Sequence, residues 1–134
     1  MCELTTIQNM GYIKANQVNF NQAEQLKLMG FDAPVNIYFA LPPITKFIRC
    51  VGGGYTDHNR MGNRVSAPSQ NEAVDWLRQI HQVHCHIIYV NGHWLPVVHG
   101  IGSNDNRVTP NFETYASYPD ALSAAIDEAF KILP

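Results

Sequence analysis

Three of the six histidines, His84, His86 and His99, have a spacing that suits metal chemistry. His84 and His86 stand two apart in an extended run, and residues two apart on a strand share a face. Asn91-Gly92 lies between the runs Val83 to Val90 and His93 to His99, and Asn-Gly is the preferred two-residue hairpin turn. Counting back from that turn sets His84 opposite His99 and His86 opposite Val97. Directly opposed residues sit about 5.5 Å apart at Cα or closer, so three imidazoles can reach one ion. Zinc with three protein ligands keeps a position for water and lowers the pKa of that water, so the group is a candidate metal-dependent hydrolase site. His81 and His58 could add a ligand or a base. The competing reading makes the three histidines polar residues at one end of a sheet face, with Ile88, Val90, Leu95 and Val97 forming core at the other end.

Other residues of chemical interest carry less. Gly52-Gly53-Gly54 leads into a polar loop rather than a helix, with neither G-x-G-x-x-G nor G-K-S/T, so a phosphate loop is not indicated. Asp57-His58-Asn59 and Ser103-Asn104-Asp105-Asn106 lack the ligand spacing of a calcium loop and suit turns. Cys85 lies between His84 and His86, but strand neighbours point to opposite faces, so it fits a small core residue. The carboxylates Glu72 with Asp75, and Asp127 with Glu128, suit solvated helix faces. Tyr55, Arg60 and Arg64, with Arg49, surround the glycine run and could make a weak single-stranded nucleic-acid site by stacking and phosphate contact.

The elements that must position these residues follow from turn and capping signals. A helix is expected over Asn21 to Met29, with Asn21 as N-cap, Glu24 three residues on and Gly30 as left-handed stop. Its buried stripe is Ala23, Leu26 and Met29. Val35 to Leu41 and Lys46 to Val51 are rich in β-formers and predict a hairpin turning at 42–45. Gly52 to Pro68 is expected to be a loop. Ser69-x-x-Glu72 is a capping box for a second helix ending near Gln82, with Ala73, Trp76, Leu77 and Ile80 inward. The Asn91-Gly92 hairpin comes next. The amide that Pro96 lacks would have pointed away from its partner strand, which predicts that strand 93–99 is a sheet edge there. Gly100 to Asn111 is expected to be a second polar loop. Ser117 caps a last helix with the stripe Leu122, Ala125, Ile126, Ala129, Phe130 and Leu133. Residues 1–18 have no clear pattern and are expected to be irregular or partly extended. The fold class is α+β in a single domain spanning 1–134, helix-strand-strand-helix-hairpin-helix, with helices on an antiparallel-rich sheet.

Composition bounds the function. The 134 residues suit one domain of about 150 or fewer, and 46% apolar residues supply a core. Charged residues are only 15%, against about 25% in ordinary domains, while Asn (12) and Gln (7) supply polar surface. A net charge of −2 argues against a broad grip on nucleic acid or an anionic membrane. No signal peptide or apolar run of membrane-spanning length is evident. Three cysteines, Cys2, Cys50 and Cys85, without C-x-x-C spacing argue for free thiols in a reducing cytoplasm.

Three segments carry a resemblance. They are Val18 to Pro34, with its helix ending in Gly30-Phe31-Asp32-Ala33-Pro34; Ser66-Ala67-Pro68-Ser69-Gln70 with Ala73, Trp76-Leu77-Arg78 and His81; and Thr114-Tyr115 followed by Asp120-Ala121-Leu122 and Ala125. In this order they resemble small uncharacterised proteins of bacteriophage and mobile-element gene sets from gut-type bacteria. The resemblance spans about 17–134 and implies no catalytic residues; His84 and His86 lie outside it. It implies a small cytoplasmic accessory or interaction domain, without catalysis or resident cofactor. An unidentified protein or a second copy, meeting the chain at the 93–99 edge and Trp94, is its expected partner. The rival is a hydrolase with zinc on His84, His86 and His99.

Overall fold

Asn19 opens the first helix, α1 (Phe20–Leu28), by accepting from the Gln22 amide at 2.8 Å, while the Gln22 side chain accepts from the Asn19 amide at 3.0 Å. The expected cap at Asn21 is therefore two residues late. Both asparagines have a box-completing residue three positions on, Gln22 or Glu24, and it is Asn19 with Gln22 that forms the reciprocal box. The helix stops as expected at Gly30, whose φ of +92° is left-handed. Phe31 N–H donates to Leu26 and Gly30 N–H to Lys27, which satisfies carbonyls the helix end would orphan. Leu26 and Phe31 are both buried.

The computed structural model describes residues 2–4, 16–40, 47–50, 55–100, 106–108 and 113–132. The chain divides into two units, Met1–Ser69 and Gln70–Pro134. It is α+β, and all of its described strand pairs are antiparallel.

In the first unit a four-stranded sheet runs β1 (Cys2–Leu4), β3 (Phe47–Cys50), β2 (Ile37–Ala40), β4 (Arg64–Ser66) in spatial order. The expected pairing of β2 with β3 is present, with Tyr38 opposite Ile48. Two strands had not been expected. β1 lies in the segment without a pattern, and β4 in the supposed loop 52–68. That stretch also holds a 3-10 turn over His58–Arg60, capped by Asp57, which accepts from Asn59 N–H at 3.1 Å. A three-residue strand shows no periodicity, and β4 exists because β2 offers it an edge: Phe39 pairs with Val65. The glycine run at 52–54 lies outside the described residues.

Amides and one histidine tie this unit together. Asn59 donates to Phe31 O at 2.9 Å and accepts from Ser66 N–H at 2.8 Å. The buried His58 ring lies 4.5 Å from the Tyr38 ring, and the Arg64 guanidinium meets His58 Nδ1 at 3.1 Å and lies 4.2 Å over Tyr38.

The second unit contains α2 (Gln70–His81), then β5 (Val83–Val90), β6 (His93–Gly100), β7 (Asn106–Val108) and α3 (Tyr118–Ile132). α2 begins directly after Ser69 and buries Ala73, Trp76 and Leu77, but Ile80 is exposed, contrary to expectation. Gln82, at φ +60°, turns the chain from α2 into β5. α3 begins where Ser117 Oγ accepts from Asp120 N–H at 3.2 Å, and it buries Leu122, Ala125, Ile126 and Ala129. Phe130 is partly buried, and Leu133 lies outside the described residues.

Replacing Asn19 with alanine removes the α1 cap. Urea unfolding is expected to show a loss of about 1 kcal/mol.

Candidate metal centre

The hairpin register is the expected one along its whole length, from Val90 opposite His93 to His84 opposite His99. Asn91 at φ +49° and Gly92 at φ +84° form the turn, both in the left-handed region a type I′ hairpin requires. Two faces result. Cys85 and Val98 point toward α3, where Cys85 Sγ lies 3.6 Å from Ala125 O. Burial pushes the Cys85 thiol up to about 12, so it is an inert core residue as expected.

The opposite face carries the histidines. Ring centroids are 5.3 Å apart for His84 and His86, 5.4 Å for His84 and His99, and 5.5 Å for His86 and His99. One ring nitrogen from each lies within 4.8 Å of the other two. Nitrogens on a tetrahedral zinc at 2.1 Å stand about 3.4 Å apart, so the widest pair must close by about 1.4 Å.

The electrostatics favour neutral rings. Burial holds His84 below the usual imidazole range, helped by the neighbouring His86, His99 and Arg78. Burial, then His99, lowers His86 in the same way. Neutral imidazole is the ligating form. Nδ1 of His84 and Nδ1 of His86 are buried and accept or donate no hydrogen bond. A buried polar atom without a partner costs about 1–3 kcal/mol. The donor set of three imidazoles suits zinc and its divalent neighbours in the first transition row.

The rest of the face is not the core that the competing reading expected. Val97 is buried, but Ile88 is 43% and Val90 38% exposed, and Leu95 is only partly covered. α3 occupies the other face, which leaves these apolar side chains beside the triad open to solvent.

The expected edge at 93–99 is also overturned. β6 is the inner strand of β5-β6-β7, because the supposed loop 100–111 contains β7, with Val98 opposite Arg107. Trp94 N–H and C=O pair with Tyr115 at 2.9 and 2.8 Å. Pro96 falls between these two outward pairings, so its missing amide is accommodated without an open edge. Trp94 packs edge-on against Tyr89 at 4.7 Å and Tyr118 at 5.4 Å, so it serves the unit's own packing.

The other candidates are engaged elsewhere or stand apart. His81 packs against Trp76 at 4.8 Å and is not in the converging group. His58 and Arg64 are committed to each other in the first unit. Arg60 pairs with Asp57 at 3.6 Å, and Tyr55 is exposed without a ring contact to Arg64, whose guanidinium covers Tyr38 instead. Asp105 lies outside the described residues, as do the side chains of Cys2, Arg49 and Cys50. Among the described residues no helix is long and apolar enough to cross a membrane. No family model, curated protein or solved structure matches the chain.

The lowered pKa values fix a sign for acid sensitivity. Unfolded histidines titrate near 6.5, and folded His84 and His86 below that. As pH falls through 6.5 the unfolded chain takes up protons that the folded chain refuses, so their contribution is full above 6.5 and declines below it. Thermal melts of metal-free protein are expected to drop from pH 7.5 to pH 5, and less steeply in the His84→Gln, His86→Gln double variant.

Proposed function

We propose that the second unit is a metal-binding accessory module that holds one zinc-class divalent ion on His84, His86 and His99. The observation that carries this is the convergence of three imidazoles on one sheet face, with two buried nitrogens lacking any partner. Neutral rings at physiological pH spare the ion competition with protons. The strands bring the ligands together without a loop having to order, which reduces the entropy lost on binding. Three protein ligands leave a further position open to water or to an exogenous donor.

The reading includes a reducing, cytoplasmic setting, supported by the free, buried Cys85. It also includes an origin among phage and mobile-element proteins, supported by the three ordered sequence segments.

Protein purified without an affinity tag and dialysed against zinc is expected to retain one equivalent by elemental analysis and to melt at higher temperature. His86→Ala is expected to weaken zinc binding by more than about tenfold while the metal-free protein stays folded. Wild-type protein with no zinc, or His86→Ala with undiminished zinc, would refute the proposal. Affinity is expected to be level above pH 6.5 and to fall as His84 and His86 protonate.

A further inference from the structure

The triad and the uncovered apolar strip share one face, and together they specify a ligand more narrowly than a metal alone would. In register order from the metal end, the rows are His84 with His99, His86 with Val97, Ile88 with Leu95, and Val90 with His93. From the second row to the fourth is four residues of strand, roughly 14 Å at 3.4 Å per residue. Along that length Ile88, Leu95 and Val90 offer apolar surface that no element of the second unit's α3 side covers, since Cys85 and its face take that helix.

With the proposed ion bound, the charge at the head of this strip is positive. Three neutral imidazoles leave the double charge of a bound ion uncompensated. No carboxylate or thiolate among the described residues joins them, and the one permanently charged side chain acting on His84 is the Arg78 guanidinium. The open coordination position therefore favours an anionic oxygen donor over a neutral one. An apolar tail attached to that donor would lie on the strip and remove it from water.

We infer that the metal-loaded sheet face binds a small amphiphilic carboxylate, its head on the ion and its alkyl tail along Ile88, Leu95 and Val90. This inference rests on the metal reading above. The ion supplies the anchor and the strip supplies chain-length preference, because each methylene taken from water adds about 0.8 kcal/mol when fully buried.

Calorimetric titration of the zinc-loaded protein with octanoate, acetate and octanol tests it. Octanoate is expected to bind at least about tenfold more tightly than acetate and more tightly than octanol. Ile88→Asn, at a solvent-exposed position, is expected to narrow the octanoate-to-acetate ratio while leaving zinc content and acetate binding unchanged. Equal affinity for octanoate and acetate at a zinc-replete site would overturn this inference alone. So would octanol binding as well as octanoate, or octanoate binding undiminished after zinc removal. Failure to take up zinc at all would overturn the metal reading, and this inference with it.

Discussion

The tight reversal at Asn91-Gly92 is the constraint on which the site depends. Both residues occupy left-handed backbone, at φ +49° and +84°, and this turn type matches the twist of the strands it joins. Once it forms, the side-chain period of two assigns every residue of β5 and β6 to a face. A slip of one residue in β5 would carry His84 and His86 into the layer under α3, part them from His99 and move Cys85 to the opposite face. The core on the α3 side resists that slip, since Val83, Cys85 and Val98 are all buried there. The apolar packing on one face thus holds the polar convergence on the other.

The same local logic explains what could be read from the sequence. The hairpin register, the glycine stop after α1 and the Ser117 start of α3 rest on contacts within a few residues, where residue type dictates geometry. The triad was legible for the same reason, because two of its members are neighbours by periodicity and the third by a two-residue turn. The elements missed were β1, β4 and β7, each three residues long. Strands that short carry no pattern of their own and are made by the edge that accepts them. Missing β7 produced the error about β6. The amide that Pro96 lacks would point away from β5, but neighbours pair on either side of it, at Trp94 and from Val97 to His99. The openness of Ile88 and Val90 was equally hidden, because an apolar residue in a strand does not state which of two faces a helix will cover.

A low charge content, 15%, has a structural counterpart in the first unit. Several backbone groups there are met by side-chain amides. Gln17 donates to Ala67 O at 2.6 Å, and Asn59 bridges Phe31 and Ser66. In the second unit Gln70 serves Pro119 O at 2.9 Å in the same way. An amide supplies both donor and acceptor without the desolvation cost of an ion, so it can be buried where a carboxylate could not. The segments behind the family resemblance, such as Gly30-Phe31 and Ser66 to Gln70, fall largely on these capping and bridging positions, so they describe the scaffold rather than a chemistry.

Two histidine environments in this chain differ in one respect that bears on function. His58 is buried more deeply, yet its Nδ1 faces the Arg64 guanidinium, and its ring lies against Tyr38. Burial, then Arg64, keeps it neutral, and it is a bonded part of its core. His84 and His86 are also kept neutral by burial, but their buried Nδ1 atoms meet no donor or acceptor. Ser66 Oγ and His81 Nε2 are also buried without a hydrogen bond, but neither belongs to a converging group of ligand-type side chains. Convergence on a third imidazole, together with two buried ring nitrogens that make no hydrogen bond, is what separates this group from His58 and supports the proposed cation site.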